Sequence, residues 1–95
     1  MSAYFVLQIE WKTPEAQRTY VARLSDMIEK HGGRFLIGTS RFRVVEGAWR
    51  PGILVVIEFP TMAALSSWYD SEEYRSVRDY RLENARCDAV VAEGS

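Results

Sequence analysis

The sequence predicts an α+β fold, and three observations carry that prediction. Residues Ala3–Trp11 alternate strictly, with Phe5, Leu7 and Ile9 on one face and Tyr4, Val6, Gln8 and Glu10 on the other, which is the period of a half-buried strand. Ala16, Tyr20, Leu24, Met27 and Ile28 then form one apolar stripe at helical spacing. Ile53–Phe59 is apolar at its first five positions and stops at Pro60, where an aromatic-rich helical segment begins. In order the elements read strand, helix, strand, strand, helix, strand. That is the ferredoxin-like βαββαβ arrangement, whose right-handed crossovers put both helices on one face of an antiparallel sheet. Residues 1–95 read as a single domain, with no repeat, linker or low-complexity segment.

Local signals place the boundaries. Thr13 followed by Pro14 and Glu15 is a helix start: a capping hydroxyl, the residue best tolerated in a first turn, and an anion at the positive end of the dipole. Gly32 and Gly33 supply the stop, with Lys30 and His31 in the last turn. Residues 34–46 are rich in β-formers but interrupted at Gly38, Thr39 and Ser40, and read as one long strand with a bulge or bend. The turn at 47–52 leads into the next strand, and a hairpin register puts Phe42 beside Ile57, Val44 beside Val55 and Arg41 beside Glu58. Thr61 caps a helix whose buried stripe is Met62, Leu65, Trp68 and Tyr69. Asp70 and Glu73, three apart, mark a second start near Ser71 in a segment that is kinked and runs to about Asn84. Residues 87–93 close the sheet.

Both faces of residues 53–57 are apolar, yet two helices cover only one face of the sheet. At roughly 25 cal/mol per Å², leaving Leu54, Val56 and Val6 in water forgoes several kcal/mol, comparable with the stability of a small domain. A second copy of the same face is the simplest cover, so the chain is expected to be a homodimer.

Composition excludes several partners. With 12 Lys and Arg against 13 Asp and Glu, the net charge of -1 concentrates neither nucleic acid nor an anionic membrane. There is no signal peptide and no membrane-length apolar run, and the single Cys87 cannot form an internal disulfide, so a cytoplasmic location is expected. One histidine, with no further set of His and Cys ligands at usable spacing, points to no metal and no cofactor.

Several motifs together resemble a known family. They are His31-Gly32-Gly33-Arg34-Phe35-Leu36, Glu46-Gly47 with Trp49, residues 55–60 (VVIEFP), Tyr69-Asp70-Ser71 with Glu73-Tyr74, Arg81, and the closing Glu93-Gly94. The chain is similar to the family catalogued as domain of unknown function 1330. The resemblance implies a dimeric α/β barrel of ferredoxin-like protomers. Its wider superfamily holds cofactor-independent monooxygenases, haem-dependent enzymes and an isomerase, while the family itself brings no established reaction. Two positions depart from the family pattern: Gly38-Thr39-Ser40 stands where an arginine and two glycines are usual, and Glu72 where proline is usual.

Candidate chemistry is sparse, and each candidate has a structural reading beside the functional one. His31 is a general base near neutral pH or simply a cation at a helix end. Tyr69 and Tyr74 are the other acid or base candidates. Cys87 reads as a packed thiol rather than a nucleophile. Trp68, Tyr69, Tyr74, Arg78 and Arg81 gather aromatic surface and two guanidinium groups on one helical segment, which suits a small carboxylate or aromatic acid; the same residues also read as core plus surface ion pairs. Glu58, at the end of an apolar strand, reads as one half of a structural ion pair with Arg41. Three functions follow: binding of a small anionic or aromatic molecule between sheet and helices, a cofactor-independent monooxygenase- or isomerase-like enzyme, or a non-catalytic structural dimer.

Overall fold

The computed structural model describes residues 1–94. The elements are β1 (Ala3–Trp11), α1 (Pro14–Lys30), β2 (Arg34–Thr39), β3 (Ile53–Phe59), α2 (Met62–Tyr69), α3 (Glu72–Asn84) and β4 (Ala85–Glu93). The strands form one open antiparallel sheet in the order β2-β3-β1-β4. This is the ferredoxin-like α+β arrangement, with the second helical segment divided in two.

Each helix begins on a side-chain cap. The hydroxyl oxygens of Thr13, Thr61 and Ser71 each accept the backbone N–H three residues on, at 3.1 Å. The expected kink at 70–71 is a full break. The Ser71 hydroxyl donates to the Trp68 carbonyl at 2.7 Å, ending α2, and its oxygen accepts from the Tyr74 amide, starting α3. At the end of α1, Gly32 takes a φ of 78°, open to glycine at little cost. Gly33 is needed for another reason: a Cβ there would stand 2.7 Å from Phe59 Cε1 and 2.9 Å from Ile28 Cγ2.

The core lies between the sheet and the helices. Ala3, Phe5, Leu7 and Ile9 of β1, with Ile57 and Phe59 of β3, meet Tyr20, Leu24 and Ile28 of α1, Leu65 and Trp68 of α2, and Tyr74 and Val77 of α3. Trp68 sits at its centre, stacked on Phe59 at 5.3 Å, edge-on to Phe5 at 5.3 Å and tilted against Tyr74 at 4.3 Å.

The β2–β3 hairpin corrects the expectation. β2 ends at Thr39 rather than continuing to Glu46, its irregularity falls at Leu36, between Phe35 and Ile37, and Phe35 rather than Phe42 faces Ile57. The physical reason is non-local. Thr39 pairs with Leu54, next to the first residue of β3, so residues beyond Thr39 have no strand to bond to. Residues 40–52 are left as an irregular arm in which Val45 and Trp49 are 75% and 56% exposed. The register also separates Arg41 from Glu58. Arg34 faces Glu58 across the strands and donates Nε–H to its Oε1 at 2.7 Å.

Candidate functional site

Among the described residues no helix covers β2, and the uncovered strip becomes a cavity. Between α1 and β2 lies a cleft of about 420 Å³, floored by Phe5, Leu7 and Ile9 of β1 and Ile53, Val55 and Ile57 of β3. Tyr20, Val21 and Leu24 form one wall and Phe35, Leu36 and Ile37 the other; Trp11 and Gln17 also line it. The β2 wall is apolar yet 45–46% exposed. The size and lining match those of small-molecule sites, which are mostly apolar with a few polar groups. Here the side-chain polar groups are those of Gln17, Tyr20, Ser25 and the Trp11 indole; among the described residues none that is charged lines the cleft.

Tyr20 connects the cleft to a buried polar cluster. Its hydroxyl lies 2.6 Å from that of Tyr74. Beside them is Arg81, only 2% exposed, which donates Nη1–H to Cys87 Sγ at 2.9 Å and stands 6.0 Å over the Phe5 ring. Among the described residues no carboxylate pairs with this guanidinium, and its Nε–H has no partner. Burial pushes the Tyr20 phenol upward, the neighbouring Tyr74 adds to the rise, and hydrogen bonding and attraction from Arg81 oppose it. Tyr74 is raised by burial too, against the lowering effects of Arg81 and of its bond to Tyr20. For Arg81, burial disfavours the charge, while attraction to the Tyr74 and Tyr20 oxygens, effective once those phenols ionise, raises the pKa; with both phenols neutral the burial cost is left uncompensated. The cluster is thus two neutral phenols and one fixed positive charge.

The residues singled out in the sequence distribute between core and surface. Trp68, Tyr74 and Arg81 are buried and are not among the residues lining the cleft. Tyr69 is partly buried against Phe5, and Arg78 lies 5.3 Å over its ring and 3.8 Å from Asp79. His31 ends α1, its Nδ1 2.9 Å from the Met27 carbonyl, and it too lies away from the cleft lining. Tyr20 and the β2 wall are what sequence reasoning missed as site residues. Tyr20 was legible only as one member of a helical stripe; the signal that marks it is a hydroxyl in that otherwise apolar row. Among the described residues no group of three or more His, Cys, Asp and Glu could hold a metal, and no helix is long and apolar enough to cross a membrane.

The opposite face of the sheet is bare. Val6 pairs with Val56 on one side and Val90 on the other, an apolar row with Leu54 beside it. Polar pairs flank the row: Gln8 Nε2–H donates to Asp88 at 2.8 Å and Arg86 to Glu10 at 2.8 Å toward one end, and Tyr4 Oη–H to Glu58 Oε2 at 3.2 Å at the other. The Arg34 hydrogen bond is the largest of the influences that hold the Glu58 carboxyl below its ordinary value. A depressed folded pKa means that this contribution to stability is present above the unfolded value and is lost as pH falls through the folded one. Arg34→Ala is expected to return Glu58 toward the ordinary carboxylate range, as read by a carboxyl-carbon NMR titration; an unchanged midpoint would remove Arg34 as the cause.

Comparison with known proteins fits this geometry. The family model described as Domain of unknown function (DUF1330) matches residues 2–95. The chain belongs to that family. A search of curated proteins finds no match to the sequence. Among solved structures, a protein of unknown function from Rhodopseudomonas palustris, RPA0582, aligns over 99% of this chain and 82% of its own at 15% identity, with a TM-score of 0.79. A dimeric ferredoxin-like protein of unknown function from Jannaschia sp. CCS1 aligns over 99% and 100% at 15% identity and TM-score 0.74. SnoaB, a cofactor-independent oxygenase from Streptomyces nogalater, aligns over 99% and 93% at 11% identity and TM-score 0.68. At these identities the likeness is one of fold. The DUF1330 chain shares the ferredoxin-like architecture of the Jannaschia protein, and its single sheet is open rather than closed into a barrel.

Proposed function

We propose that this DUF1330 protein is a homodimer that binds a small, largely apolar aromatic molecule in the cleft between α1 and β2. The observation that carries the reading is the cleft itself: about 420 Å³ of apolar-lined space whose β2 wall is left uncovered by any helix. Filling it with an aromatic ring removes the side chains of Phe35 and Leu36 from water, which is favourable in proportion to the area covered. Dimerisation answers the other face. The row Val56–Val6–Val90 with polar pairs at its margins has the apolar centre and polar rim of a protein interface, and the similar Jannaschia protein is described as dimeric. Two such faces packed together would give the dimeric α/β barrel that the family resemblance implies. A cytoplasmic location belongs to the same proposal and rests on the single unpaired cysteine.

A second reading, a cofactor-independent oxygenase or isomerase, is favoured by one observation: Tyr74 reaches the cleft wall through its hydrogen bond to Tyr20. Oxygen uptake with quinols separates the two readings, since a binding protein consumes none. Binding is tested by thermal shift with small aromatic acids and quinols. A rise in melting temperature is expected for at least one of them, and a flat response across the series would sink the binding reading. Light scattering at micromolar concentration is expected to give twice the chain mass for the natural protein and the single chain mass for Val56→Lys, which puts a charge in the middle of the apolar row; a monomeric natural protein would refute the dimer.

A further inference from the structure

We infer that the Tyr20 hydroxyl, backed by Tyr74 and Arg81, is an oxyanion site at the edge of the cleft, and that the ligand bound there is a phenol or enol held as its anion. The inference rests on the proposed binding in the cleft and names the ligand's chemistry. It follows from counting protons. The two phenols carry two hydroxyl protons and share one hydrogen bond of 2.6 Å. Arg81 has only donors, so whatever it gives to the tyrosine oxygens uses their lone pairs and none of their protons. One hydroxyl proton is therefore left over, with no acceptor among the described residues.

The cleft decides which one. Were Tyr20 the donor, the spare proton would be on Tyr74, fully buried and away from the cleft lining, where an unmade hydrogen bond is costly. With Tyr74 donating to Tyr20, the spare proton is on Tyr20, itself only 4% exposed but, unlike Tyr74, one of the residues lining the cleft. The donors then run from Tyr74 through Tyr20 to the ligand, with the Arg81 charge behind them. The groups facing one another there are Tyr20 from α1, Tyr74 and Arg81 from α3 and Cys87 from β4; among the described residues no carboxylate pairs with the guanidinium. An unpaired buried cation favours the ionised form of whatever acid approaches it. A carboxylate fits less well than a phenol or enol, because a single spare donor on an otherwise apolar wall serves one oxygen and leaves a second one unbonded.

The test uses para-nitrophenol, whose ionised form is read by colour, and nitrobenzene, its neutral analogue, with the full chain. With the natural protein the bound phenol is expected to ionise about one pH unit below its solution value, a preference of about tenfold for the anion. Tyr20→Phe removes a single oxygen and is expected to keep nitrobenzene binding while abolishing that shift; Arg81→Met is expected to do the same. Binding of both probes with no shift overturns the oxyanion site and leaves the cleft reading standing. A shift that survives in Tyr20→Phe also overturns it. Failure of both probes to bind overturns the cleft and, with it, the site.

Discussion

Trp68→Ala is expected to destabilise the protein by roughly 3–5 kcal/mol, the range found when a buried aromatic is truncated in a core that cannot collapse around the loss. Trp68 is fully buried and touches rings from three elements, Phe5 in β1, Phe59 in β3 and Tyr74 in α3. Removing it leaves a void bounded by groups that cannot all move in, because Phe59 also packs where Gly33 makes its close approach and Tyr74 is held by its bond to Tyr20. A loss of that size is a large part of the stability of a small domain. Trp68→Phe is expected to cost much less. The indole Nε1–H has no partner among the described residues, so no hydrogen bond is lost and part of the ring volume is kept. Urea midpoints of the two variants measure the difference. Equal and small losses would mean that Trp68 is not the centre of the core, and would return it to the ligand role its sequence neighbourhood first raised.

The elements that were legible in the sequence are those whose causes are local. Thr13, Thr61 and Gly32 after α1 act on their own backbone, and Phe5, Leu7 and Ile9 alternate whatever they face, so pattern alone places them. The end of β2 is different in kind. Whether residues 40–46 form strand depends on whether a partner strand lies opposite, and β3 begins too late to supply one. The same non-locality hid Arg34 as the partner of Glu58 and put Arg41 in its place. At the site, Arg78 and Arg81 stand three apart on one helix and look equivalent. One is half-buried against Tyr69, and the other is fully buried beside two phenols contributed by different helices. Nothing in the spacing of α3 reports Tyr20, 54 positions away from Tyr74. The cleft, too, is a property of what is missing: it exists because neither helical segment reaches β2, a fact about layer geometry rather than about any residue lining it.

Arg81→Met is expected to raise stability by about 1–4 kcal/mol, while Tyr74→Phe lowers it by about 1–3 kcal/mol. The opposite signs follow from one cost. A guanidinium taken out of water regains its solvation energy from a carboxylate or from a full set of acceptors; Arg81 has instead a thiol, two neutral hydroxyls and an unbonded Nε. Methionine fills similar volume without that desolvation, and buried charges replaced by well-packed apolar groups are often neutral or stabilising even when they were paired. Tyr74→Phe keeps the charge and removes an acceptor, so the cost of burial grows. A core residue whose removal stabilises the fold is retained for something other than the fold, and local violations of packing rules concentrate at functional sites. Equilibrium urea unfolding of both variants without ligand decides the matter. If Arg81→Met is destabilised instead, the guanidinium is a structural strut between Tyr20, Tyr74 and Cys87, and the positive charge behind the cleft wall is explained by folding alone.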